Sequence, residues 1–318
     1  MTPQATASVD TEIRAHEAEC YAHFDARRIE DEVVVRSPVG RHLVRLQVFG
    51  DEHRNLPPIL LLHGIGSMQV LAAPLLPYLR ERRVIAVDWP GHGLSAPCML
   101  PNGTDLRRFA VSVMDSLMDE LGIHRVDLVG HSLGAQFSVY AALDLAAQVR
   151  RVVLLGAPGA AFDGAKPAHL MKILALPKVG ARVLATHLTD GAFVRTNEAF
   201  VLGPGAFRDV PRAMITAGRL MASRPGNPES IASYFRNLIR GNRLRAGVAV
   251  STDELARMSQ PTMLAWGDDD AFHTAAAAAA SIVAIRDCRL LRFPNAGHAP
   301  WLHNPRAVGL AVAEHIAP

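Results

Sequence analysis

The chain reads as an α/β protein, a mostly parallel sheet with helices on both faces and a helical insertion late in the order. Three observations predict this. Short, wholly apolar runs such as Ile59-Leu60-Leu61-Leu62 and Val84-Ile85-Ala86-Val87 suit central parallel strands, which are covered on both faces and so need not alternate. Segments of helical spacing separate those runs, and strands alternating with helices imply parallel neighbours. The alternation stops near residue 159 and resumes near 259, leaving a block of helix-like segments inside a sheet that then continues.

At 318 residues and 49% hydrophobic content the chain has ample material for a sizeable core, as one large domain or two small ones. The amino terminus has no basic segment followed by an apolar stretch, and no apolar run approaches the roughly 20 residues of a membrane span. Cys20, Cys98 and Cys288 are odd in number and far apart, with no CxxC or CxxH spacing. Neither a disulfide framework nor a zinc site is expected, and a reducing cytoplasm fits best.

The net charge of +3 is unevenly placed, with 13 Lys and Arg against 5 Asp and Glu over residues 161–250. That stretch reads as a separate functional layer. Its arginines, among them Arg208, Arg212, Arg219, Arg224, Arg236, Arg240, Arg243 and Arg245, are dispersed, with few aromatics between them, which argues against nucleic acid. A solvated helical face is expected, with an anion-attracting mouth as the alternative.

In order, residues 10–28 predict a helix packed on the outside, with Ile13, Cys20 and Phe24 at loosely helical spacing. Val33-Val34-Val35 and the alternating stretch 43–49, joined by the turn Ser37-Pro38-Val39-Gly40, predict an antiparallel hairpin at a sheet edge. The strand at 59–62 is followed by a helix over 68–80, a strand at 84–88 and a helix over 104–121. A strand at 126–129 runs into Gly130-His131-Ser132-Leu133-Gly134, a buried helix follows to about 143, and 151–156 is a further strand. Helix-like segments near 167–176, 178–189, 206–221 and 228–240 are broken by Gly203-Pro204-Gly205 and Arg224-Pro225-Gly226-Asn227-Pro228. Then come a strand at 261–266, a buried helix from about 274 containing the run Ala275 to Ala280, a last strand at 289–293 and a final helix from about 304.

The chemistry is centred on Ser132. Its Gly-x-Ser-x-Gly setting, preceded by a strand and followed by a helix, is a nucleophile elbow, with Gly130 and Gly134 small because strand and helix backbones approach closely there. A serine hydroxyl is a poor nucleophile at neutral pH and needs a base, which in turn needs an orienting acid. Candidates for both follow later strands: Asp268, Asp269 and Asp270 after 261–266, and His298 after 289–293. Loops at the carboxyl ends of parallel strands gather on one edge, so residues this far apart in sequence can converge.

The chain order Ser, Asp, His, with His63-Gly64 and the Asp-x-Pro-Gly-His-Gly-x-Ser segment at 88–95, resembles the α/β-hydrolase fold superfamily, in its lid-bearing, esterase-like branch. The similarity covers roughly residues 33–316. It implies an amino-terminal helical extension at 1–30, a core at 31–158 and 259–318, and a helical lid at 159–258. The family pattern implies Ser132 as nucleophile, His298 as base and the last position of Trp266-Gly267-Asp268-Asp269-Asp270 as acid, with Asp268 and Asp269 as alternatives. Some relatives carry the acid after the preceding strand, but Gly156-Ala157-Pro158-Gly159 offers no carboxylate.

The oxyanion hole is expected from the backbone N–H of Leu133 and of Ile65, with Gly66 the next choice. By the same pattern His63, His92 and His131 are structural, Asp88 caps a loop, and Trp266 and Trp301 are core or pocket wall. Two positions depart from the family's habit: His303 where an acidic residue often stands, and Ala135 where a second glycine is usual.

The expected activity is cofactor-free, metal-free hydrolysis of a carboxylic ester of a small, largely apolar substrate through an acyl-enzyme. One alternative is hydrolysis of a carbon–carbon bond in dienoic ring-fission products, and another, of a different class, is a non-catalytic ligand receptor. Epoxide and haloalkane hydrolases would need an aspartate at the position of Ser132. The expected partner is a small-molecule substrate, with a homodimer left open and substrate choice assigned to residues 159–258.

Overall fold

A computed structural model describes residues 3–318; residues 1–2 of the expected amino-terminal extension lie outside the described residues. Helix α1 (Pro3–His23) begins the chain and is followed by the hairpin of β1 (Arg28–Ser37) and β2 (Gly40–Phe49). Next come β3 (Ile59–Leu62), a 3-10 helix (Gln69–Tyr78), β4 (Val84–Val87), α2 (Leu106–Glu120), β5 (Val126–His131), α3 (Leu133–Asp144) and β6 (Val149–Leu155). Between β6 and the next sheet strand lie α4 (His169–Leu174), α5 (Val179–Leu184), α6 (Asp190–Asn197), a π-helical turn (Glu198–Leu202), α7 (Arg212–Ala222) and α8 (Asn227–Leu238). A two-stranded ribbon, β7 (Ile239–Arg240) with β8 (Arg243–Leu244), and α9 (Thr252–Leu255) complete that block. The chain closes with β9 (Thr262–Gly267), α10 (Ala279–Ala284), β10 (Cys288–Phe293), α11 (Pro300–His303) and α12 (Pro305–His315).

Eight strands form one sheet in the order β1-β2-β4-β3-β5-β6-β9-β10. Only β1 with β2 and β2 with β4 pair antiparallel, so the hairpin forms the edge its alternating sequence predicts. The register aligns Leu62 with Gly130, Gly130 with Leu154, Leu155 with Ala265, and Gly267 with Phe293. Those pairings bring the carboxyl ends of β3, β5, β6, β9 and β10 to one rim. β3, β4, β5 and β9 are buried along their whole length, as continuous apolar runs require.

Helix α1 packs more deeply than an outer helix: Ile13, Glu17, Cys20 and Tyr21 are buried. Glu17 receives both Arg45 Nη1 and Nη2, and the same guanidinium also reaches Glu30 and Asp88. A buried arginine on β2 is tolerable only because three carboxylates surround it. Asp88 then takes the Leu94 and Gln69 amides, so it does tie the loop after β4 in place.

Several elements differ from expectation. The segment after β3 is a 3-10 helix because Pro74 and Pro77 lie inside it and remove the N–H groups an α-helix would need. α6 and the β7–β8 ribbon fall where no element was expected, and the segment near 206–221 becomes helical only from Arg212. The alanine run is not a buried helix. Residues 275–278 form turns, Ala276, Ala277, Ala279 and Ala280 are exposed, and α10 starts only at Ala279. Thr274 Oγ1 accepts the Ala277 N–H and the His273 carbonyl accepts Trp266 Nε1, contacts that hold the chain in turns despite its helix propensity.

Candidate active site

Ser132 stands between β5 and α3 with φ +52° and ψ −113°, a left-handed conformation that a non-glycine residue adopts only under constraint from its surroundings. The constraint comes from both sides. A side-chain carbon on Gly134 would run into the Leu62 and His63 carbonyls, and one on Gly130 would meet the Gly134 carbonyl at 2.5 Å. Only glycine lets strand and helix close on the serine in this way. The Ser132 carbonyl accepts the Gln136 N–H at 2.9 Å as the first helical bond. Leu133 N–H belongs to the first turn of α3, where amides have no intrahelical acceptor and the helix dipole is positive.

Beyond the ends of β9 and β10, Asp270 and His298 meet: His298 Nδ1–H donates to Asp270 Oδ2 at 2.8 Å, with both side chains buried. Asp270 also accepts the Ala157 amide on Oδ2 and the Phe272 amide on Oδ1, each at 2.9 Å. Burial works to raise the Asp270 carboxyl. The charge and hydrogen bond of His298, joined by the two amides, outweigh it and hold the group below its ordinary value. Asp268 instead pairs with Arg292 at 2.7 Å near the surface, and Asp269 is exposed. Of the three consecutive aspartates, Asp270 alone faces the histidine.

The His298 ring lies between Phe272, with centroids 4.5 Å apart, and His131, at 4.8 Å. Its Nε2 is buried and has no hydrogen-bond partner among the described residues, so it is not bonded to the Ser132 hydroxyl. Both side chains line one cavity of about 410 Å³. Gly64, Ile65 and Gly66 form its wall beside the serine, and Gly66 turns with φ +68°. The rest of the wall is mainly apolar and comes from the block between β6 and β9, including Leu170, Met171, Leu174, Phe193, Val201, Phe207, Met214 and Phe235. Arg219 also reaches the wall, but its Nε donates to Asp190 at 2.7 Å.

Burial pushes the imidazoles of His63, His92 and His131 toward the neutral form. The His63 imidazole is brought down to about 4 and that of His92 to about 3, while His131 lies well below its ordinary value. His63 Nδ1–H donates to the Gly64 carbonyl and Nε2 accepts the Trp89 amide; His131 Nε2–H donates to the His298 carbonyl. Trp266 and Trp301 are buried core, and His303 Nε2–H donates to the Leu202 carbonyl, tying α11 to the π-helical turn.

Three contributors had no sequence signal. Phe272 packs on His298, and Ala157 acts through its backbone alone. Gln136, on the inner face of α3, accepts the Ala160 amide and donates to Tyr140 Oη, which donates to the Val248 carbonyl. Among the described residues no group of three or more His, Cys, Asp or Glu side chains is arranged to hold a metal ion.

The profile of the alpha/beta hydrolase family matches residues 59–309. The chain belongs to this family. This alpha/beta hydrolase is 26% identical, over 79% of its length and 92% of the relative's, to pimeloyl-[acyl-carrier protein] methyl ester esterase of Nitrosomonas europaea. Two Pseudomonas putida proteins match over shorter stretches: 2-hydroxy-6-oxo-2,4-heptadienoate hydrolase, 37% identical over 111 residues, and the dihydrolipoyllysine-residue acetyltransferase component of an acetoin cleaving system, 34% over 134. Those matches cover 33% and 41% of the chain, and span only 39% and 34% of the two relatives. Among solved structures, carboxylesterase CesB (YbfK) from Bacillus subtilis superposes with a TM-score of 0.73 over 98% of this chain and 99% of that one, at 18% identity, a likeness of fold.

Proposed function

We propose that this alpha/beta hydrolase is a serine esterase acting on a carboxylic ester of a small, largely apolar substrate. One observation carries the reading: a buried imidazole has one nitrogen on a carboxylate and the other unpartnered, in the wall of the cavity that also exposes Ser132. In this reading Ser132 Oγ attacks the ester carbonyl while His298 Nε2 takes its proton, and Asp270 stabilises the imidazolium. The serine–histidine bond forms when substrate is seated, since such contacts are commonly long or misaligned without it.

The developing oxyanion is assigned to the N–H groups of Leu133 and Ile65, with Gly66 as the neighbouring donor. Collapse of the tetrahedral adduct expels the alcohol, which takes the proton from His298 and leaves an acyl-Ser132 ester. Water then gives its proton to His298 and attacks that ester; the acid departs and Ser132 recovers its hydrogen.

The apolar wall supports an apolar acyl or alcohol group, and its origin supports reading residues 159–258 as a lid that sets substrate choice. The three free cysteines support a reducing, cytoplasmic setting. Labelling with a fluorophosphonate tests the mechanism: the label is expected on Ser132, and Ser132→Ala is expected to lose both label and ester turnover. Normal turnover by Ser132→Ala would overturn the proposal.

A second reading is hydrolysis of a carbon–carbon bond, favoured by the resemblance to the heptadienoate hydrolase. Two cations line the cavity, Lys166 and Arg219, and Asp190 already pairs with Arg219. Aryl esters assayed beside a dienoic ring-fission product separate the two, with faster turnover of the esters expected.

A further inference from the structure

We propose that the elbow between α4 and α5 docks the protein onto an anionic lipid bilayer, bringing the cavity mouth against the lipid surface. The two helices are short and folded tightly together: Gly180 has no side chain, and one there would run into the Leu174 carbonyl. What this fold turns outward is apolar. Ile173, Leu176, Val179 and Val183 are 43%, 49%, 41% and 42% exposed, and Phe200 on the π-helical turn is 57% exposed. Large exposed hydrophobics scattered singly are ordinary, but four of these fall within residues 173–183. Val183 and Phe200 also line the cavity, so the apolar surface continues into its mouth.

Charge selects the partner. Residues 164–189 contain Lys166, Lys172, Lys178 and Arg182 and no Asp or Glu. Lys166, Lys178 and Arg182 are exposed, and Lys172 is half-buried. Of the flanking acids, Asp190 is paired with Arg212 and Arg219, while Glu198 accepts the Phe207 amide and Asp163 the Gly164 amide. Besides Arg195, that leaves four cations against two carboxylates unpaired among the described residues over 163–198. An exposed apolar segment interspersed with cations matches a surface that is apolar beneath and anionic at its headgroups. A second copy would instead set these cations against their own kind. Docking here does not depend on the reaction proposed above, though an ester dissolved in the bilayer would reach the cavity without crossing water.

The test is co-sedimentation of the whole chain with vesicles of phosphatidylcholine and phosphatidylglycerol in equal parts, beside vesicles of phosphatidylcholine alone. Binding is expected on the mixed vesicles, weakened by added salt. It is expected to fall by roughly tenfold in Leu176→Asp/Val179→Asp and in Lys178→Glu/Arg182→Glu. Ser132→Ala is expected to bind like the parent, which separates docking from catalysis. The four substituted surface residues lie outside the cavity lining, so circular dichroism and turnover of a soluble short-chain ester are expected to stay unchanged. Failure to sediment with mixed vesicles would overturn the proposal, as would equal binding by parent and both double variants. So would a homodimer in sedimentation velocity that these variants dissociate while vesicles bind nothing.

Discussion

The Ala157 amide donates to Asp270 Oδ2, the same oxygen that meets the His298 ring. One carboxylate oxygen therefore ties the loop after β6 to the loop after β10, and Oδ1 holds the Phe272 amide. Asp270→Asn keeps the shape but turns one of the two acceptor oxygens into an N–H donor, and at the shared Oδ2 position that donor faces both the Ala157 amide and His298 Nδ1–H. Turnover of an aryl ester is expected to fall by about three to four orders of magnitude. Stability is expected to fall by about 1–3 kcal/mol. Steady-state kinetics and urea denaturation of the same preparation read the two effects separately.

Gly134→Ala tests the closeness of β3 and α3. The added methyl meets the Leu62 and His63 carbonyls, which are backbone and cannot rotate away. A loss of about 1–3 kcal/mol is expected by urea denaturation. Turnover should fall as well, because relief of the clash moves Ser132.

Acid should unfold the protein through its buried histidines. The folded His63 imidazole lies at about 4 against an ordinary 6.5, so between those values the unfolded chain binds more protons than the folded one. The stability from keeping this ring neutral is complete above 6.5 and drains away as pH falls toward 4, at about 1.4 kcal/mol per pH unit. His92 and His131 are shifted in the same direction and steepen the loss. Urea midpoints across that range should decline, and His63→Asn should show a shallower slope than the parent.

Met214 is buried in the cavity wall on α7. Met214→Trp is expected to shorten the space left for an acyl chain. In a series of p-nitrophenyl esters, kcat/KM should fall roughly tenfold or more for the longest chains while the acetyl ester is little affected. A uniform fall across the series would locate the effect at the reacting atoms instead.

How far the sequence foretells this structure depends on how local the cause is. Ile59–Leu62 and Val84–Val87 are readable as strands because an unbroken apolar run has few other stable places to go. Ser132, Asp270 and His298 can be placed on one rim from the sequence because each follows a strand and parallel topology brings the strand ends together. Separating Asp270 from Asp268 and Asp269 by their surroundings takes the turn itself, which buries one carboxylate and leaves another exposed. Glu17 and Arg45 meet across a long sequence gap, with nothing local to announce the pair. The opposite error occurs at Ala275 to Ala280, where strong helix formers are overruled by the contacts of Thr274 and His273.

The bare backbone at Gly156 has an evolutionary consequence. With φ +68° it lies against the His298 carbonyl, and any side chain there would run into that oxygen. A carboxylate transplanted to this position could not simply replace Asp270: it would shove aside the imidazole it was meant to orient. Under the proposed mechanism, moving the acid from Asp270 to residue 156 would need the loop that carries His298 rebuilt in the same step.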